Sequence, residues 1–234
     1  HIRKCRIEGK ERYVIVIPRG WTYAQLGATT QDAAWLWLKT NYPSLAAHLA
    51  PFEQKCAKRF DKGDFWWELR ACDYYDAFEK PKIIYPDIAK ESRATFDKDG
   101  VFVGNTAYII PINDLYLLGI INSKLIFAYF KRIASVLGDA DKGGRLRWFT
   151  QDVVKIPIRS VDSDDPADVA RHDRMVGLVD QMLDLNRKLA ESRIPQTKEV
   201  LKRQIESTDR QIDQLVYELY DLTEEEIRIV ESQT

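Results

Sequence analysis

From Leu201 to Leu222, seven positions (Leu201, Ile205, Thr208, Ile212, Leu215, Leu219 and Leu222) recur at alternating spacings of four and three. Only a long helix gathers such positions into one stripe, and a stripe of that kind must be covered by another helix. The covering helix is legible just upstream. Asp165 is placed to cap it, with Pro166 at the first helical position, and it runs to about Ser192 before the stop near Pro195. After the seam, Thr223-Glu224-Glu225-Glu226 fits a capping box that opens a short terminal helix. Residues 161–234 therefore predict an antiparallel helical hairpin with a final helical turn, coiled-coil-like in its seam. The polar stretch RSVDSDDP at 159–166 sets the boundary with a body over residues 1–160.

The body has a different texture, with short β-like runs cut off by turn residues. YVIVI at 13–17 stops at Pro18, KIIY at 82–85 at Pro86, residues 107–110 at Pro111 and residues 153–156 at Pro157. Residues 94–97 and 101–103 flank Lys98-Asp99-Gly100, where Asp-Gly signals a hairpin. Helical patterns interrupt these runs at 32–39, at 44–60 with a break or start at Pro51, and at 114–134, where a helix pair joins near Asn122-Ser123. Strict strand–helix alternation is missing, so the fold class is α+β: a mixed, small-sheet body followed by the helical hairpin.

Net charge is only −1, yet its distribution is uneven. Residues 1–160 carry 25 Lys and Arg against 18 Asp and Glu, and residues 161–234 carry 10 against 18. A basic body with an acidic tail suits a domain that meets phosphates through one part only. Cys5, Cys56 and Cys72 form no CxxC pair and are odd in number, which reads as reduced thiols in a cytoplasmic protein. His1, His48 and His172 are too scattered for a zinc motif. No apolar run is long enough for a membrane span, and the basic start leads into no secretory signal. Without an initiator Met, the chain reads as a piece of a longer protein.

Catalytic signatures are missing as well. There is no GxGxxG, no GxxxxGK[ST], and no polar-Pro-Pro-aromatic tetrapeptide of the kind that holds a target amine in amino-methylating DNA enzymes. Asp32 followed by Glu53-Gln54-Lys55 matches a bare nuclease pattern, but Glu53 and Lys55 fall in a helical stretch where E-x-K is an ordinary solvated face.

Several motifs together carry a family resemblance. They are Trp66-Trp67-Glu68-Leu69-Arg70, Tyr74-Tyr75, Phe78, and the run from Lys80 through Ile88 (KPKIIYPDI), followed by Asn105-Thr106-Ala107-Tyr108. YLLGIINSK at 116–124 is similar to the family's "LLGxLNSK" run, VKIPI at 154–158 to its closing "IPIP", and residues 208–223 to its carboxyl end, with Asp221 where Gly is usual. In order and spacing they resemble the TaqI-like C-terminal specificity domain of adenine-specific DNA methyltransferases and fused restriction-modification enzymes.

The resemblance implies sequence-specific recognition of double-stranded DNA by a part that is not itself catalytic. A separate N-terminal catalytic domain of the same parent chain would bind S-adenosylmethionine, so no cofactor is expected here. Candidate DNA contacts are the polar groups of loops, which reach the grooves from a rigid scaffold. They are Lys142, Arg145 and Arg147 in the glycine-containing run 138–148, Lys90, Arg93 and Lys98 around the expected hairpin, and Asn105, which can read adenine. The alternative is a docking or dimerisation module that uses its helices as a spacer. Trp66, Trp67, Tyr74 and Tyr75 read as core rather than as base-stacking residues.

Overall fold

The computed structural model describes residues 1–8, 12–138 and 144–233. The fold is mixed α+β with small antiparallel sheets and a packed C-terminal helix pair. The chain divides into two compact units, Glu11–Asp76 and a larger one formed by His1–Lys10 with Ala77–Thr234.

The smaller unit is helical: α1 (Trp21–Leu26), α2 (Gln31–Asn41), α3 (Pro43–Leu49) and α4 (Glu53–Ala57), with a 3-10 turn at Ala50–Phe52 where Pro51 divides the expected 44–60 helix. Thr30 caps α2, its hydroxyl accepting from the Ala33 N–H at 3.4 Å. Ala34 and Leu38 face a core of Ile17, Ala46, Phe65, Trp66 and Trp67, with Trp35 packed 4.8 Å from Trp66, centroid to centroid. Residues 13–17, expected as a strand, pair with no other strand among the described residues. Tyr13 is exposed, and the Ile17 carbonyl accepts from the Leu69 N–H at 2.7 Å.

Glu68 organises this unit from inside. Its carboxylate is fully buried and accepts from the N–H groups of Thr22 at 2.9 Å, Asp64 at 2.9 Å, Gly20 at 3.3 Å and Phe65 at 3.4 Å. One side chain thus ties the start of α1 to the 63–68 turn. Gly63 has to be glycine for this to fit, because a Cβ there would lie 2.5 Å from the Glu68 Cβ and 2.7 Å from the Leu69 carbonyl oxygen. Gly63→Ala should therefore cost about 1–3 kcal/mol through overpacking, read as a lower denaturant midpoint.

In the larger unit, β1 (Ile2–Arg3) and β2 (Arg6–Ile7) form a hairpin. β3 (Lys82–Pro86) runs into β4 (Ile88–Ala89), followed by β5 (Thr95–Asp97) and β6 (Ala107–Ile110). β3 is the centre of a three-stranded antiparallel sheet, ordered β5-β3-β6. Its first residue, Lys82, is buried and paired with Asp97 directly opposite; the ammonium also donates to the Phe78 carbonyl. The Asp97 carboxylate accepts from Asp99 N–H at 3.3 Å and Val101 N–H at 2.9 Å. Those bonds curl the chain, so residues 101–103 form no strand and the expected 94–103 hairpin is replaced by the β3–β5 pairing.

Helices α5 (Leu115–Ile121) and α6 (Lys124–Ile133) realise the expected pair. Asp114 caps α5 through Leu117 N–H at 2.9 Å, and Ser123 caps α6 through Ile126 N–H at 3.3 Å. The motif between the caps is structural throughout. Gly119 lets α5 approach the next long helix so closely that a Cβ would meet the Met175 sulfur at 2.5 Å. The Asn122 amide pairs with both backbone groups of Ala94, at 2.9 Å each. Then come β7 (Val136–Leu137), β8 (Arg145–Arg147) and α7 (Thr150–Val153). The strand expected at 153–156 is instead the end of α7 and a turn: Ile156 N–H reaches only to the Val153 carbonyl at 3.1 Å, so its bonds close locally.

The tail holds α8 (Pro166–Glu191), α9 (Pro195–Leu219) and α10 (Glu224–Gln233). Asp165 caps α8 through Ala167 N–H at 2.9 Å, and Thr223 and Glu226 form the capping box of α10. Leu201, Thr208, Ile212, Leu215 and Leu219 are buried, as the seam predicts. They do not form a separate core. Ile212, Leu215, Val216 and Leu219 of α9 and Met175, Val179 and Met182 of α8 share one cluster with Ile83, Tyr85, Ile120, Phe130 and Trp148. Arg159 at the body–tail junction grips the buried Asp168 at 2.7 and 2.8 Å. With the Asp162 N–H and Arg171, it holds that carboxyl well below the usual carboxylate range.

Candidate nucleic-acid interface

A second three-stranded antiparallel sheet, ordered β4-β8-β7, carries the candidate basic residues. Residues alternate across a strand, and here Leu146 and Trp148 turn inward, Trp148 stacking on Phe130 at 4.1 Å. Arg145 and Arg147 are thereby turned outward. Ile88 lies opposite Arg147 and Ala89 opposite Leu146; β4 ends there, and Lys90 follows on the bend beyond it. Two exposed cations 55 positions apart in sequence thus come to the same end of the β4–β8 pair. Arg147 is half-buried, held by Asp87 at 3.6 Å and lying over the Phe149 ring at 5.0 Å.

Beside this sheet lies a cleft of about 410 Å³. Pro86, Ile88 and Val101 give it apolar walls, and Arg3 and Arg93 bring guanidinium groups to it. Both are partly neutralised, Arg93 by Glu91 at 2.8 Å and Arg3 by Glu8 at 3.0 Å. Gly104 and Thr106 line the same cleft, and exposed Asn105 stands between them on a turn closed by Ala107 N–H to the Gly104 carbonyl at 3.2 Å. The Thr106 carbonyl is fixed by Asp87 N–H at 2.9 Å, so Asp87 supports both the turn and Arg147.

The structure therefore brings Arg145 and Arg147 to one face of β8 with Lys90 just past the end of β4, and Arg93 to the cleft, while Asn105 is exposed on the turn whose neighbours Gly104 and Thr106 line it. Lys98 sits elsewhere, exposed on the turn after β5 and not among the residues lining the cleft. Lys142 lies outside the described residues. Sequence reasoning missed Arg3. It also took 145–147 for loop, although the alternation Arg145-Leu146-Arg147-Trp148 is itself a strand signal. Trp66 and Trp67 are buried in their own unit, in keeping with a core role.

Glu53 and Lys55 are both exposed on α4. Among the described residues, no group of three or more His, Cys, Asp or Glu is arranged to hold a metal, and no helix is long and apolar enough to cross a membrane. Cys5 is a buried thiol pushed up to about 12 by desolvation, which keeps it in the unreactive protonated form.

Comparison with known proteins agrees with the geometry. A type II restriction enzyme and methyltransferase of Escherichia coli, RM.Eco57I, is 29% identical over 132 residues. That stretch is 56% of this chain and 13% of the relative, so the chain spans only a small part of that protein's length. The model of the TaqI-like C-terminal specificity domain matches residues 1–158, well over half of the 234. The chain belongs to the TaqI-like C-terminal specificity domain family.

Proposed function

We propose that this chain is the DNA target-recognition part of a site-specific adenine methyltransferase of a restriction-modification system. The observation that carries this reading is that exposed Lys90, just past β4, and exposed Arg145 of β8 come to the same end of the β4–β8 pair, with Arg147 two residues along β8. Lysine and arginine there anchor the phosphate backbone and set the register of the duplex. Arg93 and Asn105, at the neighbouring cleft, supply the groups that read base edges: a guanidinium suits guanine and a carboxamide suits adenine. Lys98 and Lys142 complete the set as further phosphate contacts. Adenine methylation belongs to an N-terminal catalytic domain outside this chain. That domain binds S-adenosylmethionine and receives the flipped base, and this chain needs no cofactor of its own.

The test is duplex binding by the purified chain across a salt titration. Affinity should fall steeply with salt, and Lys90→Ala with Arg145→Ala should lower the slope of log affinity against log salt by about two. The same double variant should weaken binding by about 10- to 100-fold at low salt. No duplex binding at low salt would return the chain to the docking reading, and an unchanged slope would remove the β4–β8 face from the interface.

A further inference from the structure

Arg147 differs from the cations near it in how it is held. Lys90 and Arg145 are exposed and make no ion pair among the described residues, so each can swing to meet an anion. The Arg147 side chain is 33% exposed and is approached from two sides. The Asp87 carboxylate lies 3.6 Å from its Nη1, and the Phe149 ring lies 5.0 Å from the guanidinium carbon. Asp87 is itself fixed: its N–H bonds the Thr106 carbonyl at 2.9 Å, its carbonyl accepts from the Trp148 N–H at 2.8 Å, and its side chain is 18% exposed. Arg93 shows the contrast, because its partner Glu91 is two residues away in sequence, 62% exposed, and able to move with it.

Two features of this arrangement select the ligand. The guanidinium is oriented without being engaged. At 3.6 Å the carboxylate is a neighbouring charge beyond hydrogen-bond reach, and the Arg147 side chain donates to nothing among the described residues. Arg59 and Arg159, by comparison, give their donors to the Trp66 and Glu68 carbonyls and to Asp168. A rigid fork of N–H groups thus stands in a set direction and is still able to donate. The second feature is the acid itself. A phosphate drawn to Arg147 would be repelled by Asp87 beside it, whereas a neutral edge with two adjacent acceptors would not. In duplex DNA that edge is the N7 and O6 side of guanine in the major groove. We propose that Arg147 reads one guanine of the target site through that edge, and that Asp87 is the positioning residue that aims it. This rests on the reading above that the chain grips duplex DNA, and within that grip it sets Arg147 apart from the phosphate anchors Lys90 and Arg145.

The experiment uses the whole chain and a pool of duplexes with a randomised central stretch. Retained duplexes are sequenced, and affinity for the unselected pool is followed across salt. Arg147→Ala should lower a guanine preference at one position by about 10-fold, with the other preferences kept and the salt slope unchanged. Arg147→Lys should lose the same preference, because the charge remains and the fork is gone. Asp87→Asn keeps both backbone bonds and should weaken that preference by about threefold, while affinity for the pool holds or rises. A merely structural ion pair would move the thermal midpoint and not the base preference. Arg145→Ala should do the reverse of Arg147→Ala, lowering the slope by about one with every preference kept. A guanine preference untouched in Arg147→Ala, or fully kept in Arg147→Lys, overturns the assignment of the reader. The same preference untouched in Asp87→Asn overturns the positioning role; each of these results leaves the recognition reading standing. No duplex binding by the wild-type chain, or binding without base preference, overturns both together.

Discussion

Asp97→Ala should destabilise the larger unit by about 3–5 kcal/mol, the cost of leaving a buried charge without its counterion. Lys82 and Asp97 face each other across the β3–β5 register with side chains 0% and 2% exposed, so the stranded ammonium has no direct access to water. It would keep only the carbonyls of Phe78 and Lys80. Alanine also removes the acceptor for Val101 and Asp99 N–H, and with it the turn that follows β5. Asp97→Asn should cost less than alanine, since the amide oxygen can still accept one of those bonds. Urea unfolding of the three proteins should therefore place the asparagine midpoint between the other two. An alanine variant as stable as wild type would show that water reaches Lys82.

Glu68→Ala is the counterpart in the smaller unit, with an expected loss of about 3–5 kcal/mol as several buried donors lose their acceptor at once. The four N–H groups divide unevenly. Oε1 accepts from Thr22 alone, while Oε2 serves Gly20, Asp64 and Phe65. A glutamine there can keep a carbonyl on one side only and must turn an NH₂ toward donors on the other. Glu68→Gln should accordingly cost about 2–3 kcal/mol, more than an isosteric swap on the surface would. Tryptophan fluorescence reports the change directly, because Trp66 and Trp67 immediately precede Glu68 in the same core. Equal stability of the glutamine variant and wild type would show that these N–H groups do not need the second carboxylate oxygen as their acceptor.

What could be read in the sequence was the part set by local chemistry. Asp165 and the Thr223–Glu226 box cap their helices where expected, and Asp114 and Ser123 cap α5 and α6 by the same local chemistry, each within three residues of itself. The α9 seam likewise needs only its own periodicity. Strands are another matter, since a strand exists only if a distant segment pairs with it. Residues 13–17, 101–103 and 153–156 have strand composition and no partner strand among the described residues, whereas Arg145–Arg147 has charged ends and two partners. The candidate site suffers from the same blindness. Lys90 and Arg145 were each legible as loop cations, but their arrival at the same end of the β4–β8 pair depends on a register that no local pattern encodes. Arg147 shows the limit in another way, because its hold on Asp87 is a contact between distant parts of the sequence.

The single core shared by the ends of the larger unit also has a consequence in time. Cys5 N–H bonds Ala94, and Lys4 pairs with Asp209 on α9, about two hundred residues further along the chain. During synthesis β1 and β2 are made before every other strand and helix of their unit and must wait, uncommitted, while Glu11–Asp76, a compact unit in itself, is made next. Their own unit is completed only once α9 has been made. Synthesis order and folding order therefore differ for this segment, and a messenger cut short before α9 leaves β1 and β2 without the core and the Asp209 partner that hold them.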